Sequence, residues 1–543
     1  LERDPEFRYF HLDGQTIVLE DYLEIRPRMR DRLARLIRDG RILIGPWYLQ
    51  NDEFLTDGES TIRNLLIGCR ICREEYGVEP MMVGYVPDQF GNISQLPQIL
   101  NGFGIRSAVF GRGYNEPDGP QEFLWRSPDG SEVLASYLIT WYNNVQRFPR
   151  DPDRAIAMLR ELIANEGRRP QTVNRLLMNG VDHLEAQENL SAIIREVNAR
   201  EPEFELIPST LPDYFAALRE ALKNPRVMEG EMRSGDNGSV LPGTASSRVH
   251  LKQSNFLCQQ LLRRWVEPFA VFARLSGSDY NAVDPIRYAW KLLIQNHPHD
   301  SICGCSIDEV HFQMEARFRR VLDVLRDQLQ RSFRHLTASV DTKGLAHHSI
   351  VNVFNTHPQA ETSVVETVVE TLEEEDIAAL EPTDAEGRPV PFVMLESRLV
   401  MKRVINPKRL PKLLRVWRHR IVFRASDVPA VGYKAYFLVG RAGWENARLE
   451  RTGGDVRTVL QSYGYTDEPA RAPENSLEAK AGIEKSGKVS SGRRTPKPAK
   501  YRGQEIVDAG VQLENEHLTA RFNANGSFDL ILKEGGGTFR GLH

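Results

Sequence analysis

Cysteine is scarce in this chain, with five in 543 residues. That is too few for a disulfide framework at this length, and it favours a reducing, cytoplasmic setting. No run of about 18 apolar residues occurs, which excludes a membrane-spanning helix of the usual kind. The polar start, Leu-Glu-Arg-Asp-Pro, lacks the apolar core of a signal peptide. Charge of one sign is not in surplus either: Lys plus Arg is 70, Asp plus Glu is 74, and the net charge is −4. General electrostatic affinity for nucleic acid or an anionic membrane is therefore not expected. A glycine-rich loop ending in Lys-Ser or Lys-Thr is missing, as is any nucleotide fingerprint. An initiator Met is absent, and residues 1–5 read as the end of a helix running into a strand at 7–12, so a start upstream of Leu1 is expected.

What is present describes an ordinary folded protein of three or four domains, 41% hydrophobic and 27% charged. Residues 1–235 alternate strand and helix signals. Strands are expected at 41–45, 83–87, 107–110, 175–178 and 204–207, and helices at 59–76, 94–103 and 184–197. In the helix at 59–76, Ile62, Leu65, Leu66, Cys69 and Cys72 share one face at helical spacing. This pattern indicates a mostly parallel α/β domain. Residues 236–345 carry long helical stretches at 250–275, 285–295 and 307–336, and read as a three- or four-helix bundle. From 346 to 543 alternating strands point to an incomplete β-sandwich. Within it, the basic segment 402–420 reads as a solvated loop or edge hairpin. The segment 466–501, poor in large apolar residues, reads as a flexible insertion.

Parallel α/β sheets gather reactive groups at the carboxyl ends of their strands. Two aspartates stand there: Asp88 after the strand 83–87, and Asp182 after the strand 175–178. A carboxylate pair is what glycoside hydrolysis needs, although an aspartate after a strand is equally a helix N-cap. The turn Asn296-His-Pro-His299-Asp300-Ser-Ile-Cys303-Gly-Cys305 concentrates imidazole, carboxylate and thiol, and suits a metal, a polar substrate or simply a capped helix. Trp47, Tyr48 and the pair Asp52-Glu53 follow the strand 41–45 and are candidates to hold a sugar face and its hydroxyls. Arg112, two residues past Phe110, could support a nearby carboxylate. Cys69-Arg-Ile-Cys72 has redox spacing but lies mid-helix, where a structural role is expected.

Taken together, these segments resemble the α-mannosidases of glycoside hydrolase family 38, in the bacterial branch that includes mannosylglycerate hydrolases. The matching stretches are Gly45-Pro-Trp47-Tyr-Leu-Gln-Asn-Asp52-Glu53, Pro87-Asp88-Gln-Phe-Gly-Asn-Ile-Ser94 and Leu177-Met-Asn-Gly-Val-Asp182-His183. They continue with Gly243-Thr-Ala-Ser-Ser-Arg248-Val-His-Leu-Lys252-Gln-Ser-Asn255 and His297-Pro-His299-Asp300-Ser-Ile-Cys-Gly-Cys-Ser306. Weaker matches lie at Leu513-Glu-Asn-Glu516 and Asn525-Gly-Ser527.

The resemblance implies a seven-stranded β/α barrel-like catalytic domain, lacking its first strand here, followed by the bundle and the β region. It implies a retaining hydrolysis of terminal α-linked mannose, with Asp88 as nucleophile and Asp182 as general acid/base, their carboxyls about 5–5.5 Å apart. Asp88 and His299 would also bind a divalent metal, Zn2+ by preference. Asp300, Arg112, Trp47 and Asp52 would contact substrate. The family's His-x-His-x-Asp metal motif is matched by none of the 13 histidines, which leaves two of the four implied ligands and an expectation of weak metal affinity. The partner expected is a mannose-containing oligosaccharide or mannoside, with neither nucleic acid nor membrane, and homo-oligomerisation is left open. Two other classes fit the same residues: a metal-dependent carbohydrate deacetylase and an inactive sugar-binding homologue.

Overall fold

The computed structural model describes residues 1–442, apart from 183, 343–346, 376 and 407, and beyond them four strands between 512 and 542. The expected flexible segment 466–501 and the motif residue His183 lie outside the described residues. The chain divides into two compact units, 1–458 and 459–543.

The first 230 or so residues hold seven described strands, which form two sheets rather than one barrel-like ladder. β1 (Phe10–His11) pairs in parallel with β2 (Ile42–Leu43). β3 (Gly84–Val86), β4 (Ser107–Phe110), β5 (Glu122–Arg126), β6 (Glu132–Tyr137) and β7 (Val227–Glu229) form the other, in the order β3-β4-β6-β5-β7. β3, β4 and β6 run parallel, so their carboxyl ends share one edge, whereas β5 turns back antiparallel to β6. Every residue of β4, Ser-Ala-Val-Phe, is buried, as a strand covered on both faces is expected to be. Ser127-Pro-Asp-Gly130 closes the β5–β6 hairpin, with Gly130 at φ 86°.

Two expected strands are absent. Residues 175–178 and 204–207 join no ladder, and asparagine side chains bond part of their backbone instead. Asn144 accepts from the Met178 N–H and donates to the Leu176 carbonyl, at 2.7 and 3.0 Å. Asn198 does the same twice over for Leu206, at 2.8 and 2.9 Å. The helix expected at 59–76 begins at Gly58, capped by Asp57, which accepts from Ser60 N–H at 2.8 Å. Its buried side is Thr61, Leu65, Gly68, Cys69 and Cys72, while Ile62 and Leu66 are exposed. Gly68 sets this rotation: a Cβ there would lie 2.3 Å from the Pro46 carbonyl oxygen.

The helical region contains Val249–Leu261, Glu267–Leu275, Val283–Ile294 and the 31-residue Asp308–Ala338. Its apolar faces share one core with the N-terminal segment: Leu251, Trp290, Leu293, Met314 and Phe318 pack together with Leu19, Ile37, Ile44 and Tyr48. Strands β8 (Ser349–Asn355), β9 (Glu361–Leu372), β10 (Ile377–Thr383), β11 (Phe392–Asn406), β12 (Arg409–Val428) and β13 (Gly432–Ala442) form two antiparallel sheets, ordered β10-β13-β8 and β11-β12-β9. Both contribute to one core through Val369, Leu380, Ile421, Phe423, Tyr436 and Leu438. The basic segment 402–420 belongs to the long hairpin of β11 and β12. In the second unit β14 (Gln512–Glu514), β15 (Leu518–Phe522), β16 (Phe528–Leu532) and β17 (Thr538–Leu542) make an antiparallel meander.

Candidate active site

Asp88 follows β3 through Pro87, and Arg112 follows β4 through Gly111, so adjacent parallel strands deliver both groups to one edge. Gly111 permits the approach, since a Cβ there would stand 2.2 Å from the Pro87 carbonyl oxygen. The Arg112 guanidinium donates to Asp88 Oδ1 at 2.6 Å, and to the Ser239 carbonyl at 2.7 Å. His299 enters from the helical region at the start of the short helix His299–Ile302. Its Nε2 lies 3.7 Å from Asp88 Oδ2, and equally 3.7 Å from Asp300 Oδ2. Those are charge contacts, too long for hydrogen bonds. The backbone N–H of His299 donates to the Gln50 carbonyl at 3.1 Å, which holds the turn against the loop after β2.

Charge in this centre is mutually reinforcing. Burial by itself would push the Asp88 carboxyl up, but His299 and Arg112 outweigh it and hold the group below the usual carboxylate range. Burial would likewise lower His299, yet Asp88 and Asp300 raise it above its ordinary value. An ionised Asp88 beside the Arg112 guanidinium and the His299 imidazole is the result. Asp300 is largely open to solvent, with 63% of its side chain exposed.

Asp182 is exposed and accepts a hydrogen bond from the Tyr142 hydroxyl on Oδ2 at 3.0 Å. Tyr142 joins the two carboxylates electrostatically: burial, then the charges of Asp88 and Asp182, push its phenol up. Below them Tyr85 of β3 feels burial first and then Asp13, Tyr142, Asp182 and Asp88. The structure thus brings Asp88, Arg112, His299 and Asp300 into direct contact, and links Asp182 to Asp88 through Tyr142.

It also adds residues that sequence reasoning missed. Asp13 follows β1 and obeys the same strand-end rule that singled out Asp88. Its Oδ2 accepts from Gln15 at 2.6 Å, and desolvation by the surrounding protein, with the charges of Asp182 and Asp88, pushes its carboxyl up. Tyr142 and Trp141, beyond β6, carried no signal, because the hairpin that presents them was not anticipated.

Two expected substrate contacts are corrected. Trp47 is 1% exposed and packs with Leu65, Val86 and Leu96, so it has no face to offer a sugar. Asp52 is 3% exposed, and its Oδ1 accepts from the N–H groups of Phe54 and Leu55, both at 2.8 Å. It is a buried turn cap. Cys69 and Cys72 are free thiols in the core, pushed up by burial to about 11 and about 12. That is the opposite of a reactive pair.

For a metal, the described residues supply Asp88 and His299. Among them no group of three His, Cys, Asp or Glu side chains is placed to hold an ion. Two donors do not fit a complete centre, and no chemical step is routed through one here. A separate cavity of about 430 Å³ beside β7 shares no lining residue with this site. Its charges are spent on one another, Arg226 with Glu116 and Arg126 with Glu229. No described helix is long and apolar enough to cross a membrane.

Comparison with known proteins matches residues 1–236 to the glycosyl hydrolases family 38 N-terminal domain, and residues 239–336 to the alpha mannosidase middle domain. The chain is 41% identical over 333 residues to a Halalkalibacterium halodurans protein named "Putative mannosylglycerate hydrolase", covering 59% of this chain and 37% of that one. It is 26% identical over 334 residues to human Alpha-mannosidase 2C1, covering 57% of this chain and 29% of that one. Among solved structures, an alpha-mannosidase from Enterococcus faecalis V583 superposes with a TM-score of 0.74 at 29% identity, covering 99% of this chain and 57% of that one. The chain spans roughly a third of the length of these two curated relatives.

Proposed function

The chain belongs to glycosyl hydrolase family 38, and on that premise we propose that it hydrolyses terminal α-linked mannosides with retention, through Asp88 and Asp182. The observation that carries the reading is the contrast between the two carboxylates. Asp88 is clamped by Arg112 at 2.6 Å and held ionised, whereas Asp182 stands open to solvent with a single hydroxyl donor, Tyr142. One is equipped to attack and the other to exchange protons.

In the first half-reaction Asp88 attacks the anomeric carbon while the glycosidic C–O bond breaks. Asp182, protonated, gives its proton to the departing oxygen. Arg112 occupies Oδ1 of Asp88, which leaves Oδ2 as the attacking atom. Tyr142 on Oδ2 of Asp182 leaves Oδ1 to carry the mobile proton. In the second half-reaction Asp182 takes a proton from water, which attacks the same carbon and releases Asp88. In this reading Asp300, exposed beside His299, accepts hydrogen bonds from sugar hydroxyls.

A fluorinated α-mannosyl donor with a good leaving group should label the full-length protein by one sugar mass, with the adduct on Asp88 after proteolysis and mass spectrometry. Absence of label under turnover conditions, or label elsewhere, rejects the nucleophile assignment. The 41% identity to the mannosylglycerate hydrolase relative favours a narrower second reading, in which glycerate occupies the leaving-group side. Comparing turnover of mannosylglycerate with that of an α-mannobiose separates the two.

A further inference from the structure

Between the two candidate carboxylates lies an unbroken line of contacts that no single motif contains. Arg112 donates to Asp88 at 2.6 Å. Its guanidinium lies over the Trp141 ring, 4.7 Å from the centroid, with Phe90 on another side at 5.6 Å. The Trp141 ring stands 5.0 Å from that of Tyr142, and Tyr142 donates to Asp182 at 3.0 Å. Trp141 is half-buried, and its backbone adopts φ 73°, a left-handed conformation that a bulky aromatic residue rarely takes.

Trp141 closes the turn after β6, its N–H donating to the Leu138 carbonyl at 3.1 Å, and its ring stands against that of the next residue, Tyr142. Gly111 leaves the room, since a Cβ there would already stand 3.3 Å from Trp141 Cζ3. A planar guanidinium against an indole face is held in orientation as well as attracted.

We propose that Trp141 is a positioning residue for the reaction: it fixes Arg112 over Asp88 and Tyr142 over Asp182, and so sets the two carboxylates relative to each other. The inference rests on the reading of Asp88 and Asp182 given above. Trp141 acts through its neighbours, so its loss should fall on turnover and not on substrate affinity.

Glycine accepts φ 73° freely, so Trp141→Gly removes the ring without demanding a new backbone. With an aryl α-mannoside and the full-length protein, kcat should fall roughly 100-fold, as misplacement by about an ångström does, with KM nearly unchanged. Trp141→Phe, which keeps a ring over Arg112, should recover most of that loss. In an Arg112→Lys background, which lacks the planar guanidinium, Trp141→Gly should cost much less than in the wild type. A kcat loss below about tenfold for Trp141→Gly, a loss carried by KM, or full additivity with Arg112→Lys overturns the proposal. Should the glycine variant melt early, the Phe recovery and the cycle, measured below its melting temperature, decide in the same way. Asp88→Asn is the control. If it stays active, the reading of the carboxylate pair fails. If it is inactive while Trp141→Gly turns over normally, only the role of Trp141 fails.

Discussion

Two acidic groups on neighbouring loops show how far environment outranks residue type. Asp88, after β3, is flanked by Arg112 and His299 and held ionised. Glu53, after β2, is 3% exposed, and burial raises its carboxyl to about 8. Its Oε2 accepts from Ile93 N–H at 2.8 Å, just beyond Asp88 in the chain, while Oε1 has no partner. One carboxylate is held ionised beside a guanidinium, and the other, protonated at neutral pH, braces the loop that carries the first.

The sharpest break of that comparison is on activity. Asp88→Asn should lower kcat about 10⁴-fold or more, and Asp182→Ala about 10²–10⁴-fold with a smaller loss on an activated aryl leaving group. Glu53→Gln, by contrast, should stay within about threefold of wild type, because an amide can replace a protonated acid. Steady-state kinetics on an aryl α-mannoside checks all three. Equal losses at Asp88 and Glu53 would erase the distinction.

The next effect is on stability against pH. Glu53 binds its proton more tightly folded than unfolded, where its value is the ordinary 4.5. Its contribution is therefore complete below pH 4.5, declines as pH rises through about 8, and is flat beyond. The slope is at most about 1.4 kcal/mol per pH unit. Denaturant unfolding between pH 5 and 9 should show Glu53→Gln losing this decline and gaining on the wild type at the alkaline end. An unchanged slope would mean that Glu53 titrates normally.

Smallest is the effect at Asp52. Asp52→Ala removes the cap on Phe54 and Leu55 and should cost about 1–2 kcal/mol in stability, with KM shifted less than about twofold. A large KM increase without destabilisation would restore Asp52 as a substrate contact.

Much of the site was legible. The strand-end rule placed Asp88 and Arg112 on one edge, and the compact His-Pro-His-Asp turn marked His299 and Asp300. The rule itself also applied to Asp13, which stands one residue past an expected strand. Asp182 was found by way of a strand that is not there: residues 175–178 form no strand, and Asn144 bonds the backbone of Leu176 and Met178 instead. Trp47 and Asp52 failed for a different reason. Aromatic and acidic types after a strand suit a sugar site, but Gly68 lets the helix at Gly58–Arg70 close over Trp47, and Asp52 turns inward to cap Phe54 and Leu55.

The sequence by itself determined much of the alternation of strands and helices and marked Asp88, Arg112, His299 and Asp300 as candidates, because periodicity and composition are local properties. Only the tertiary structure decided which carboxylate is charged, which aromatic ring meets Arg112 and which is core. Those depend on desolvation and on partners distant in the chain. Arg112 and Asp88 are 24 positions apart, Tyr142 and Asp182 are 40, and His299 reaches Gln50 across 249.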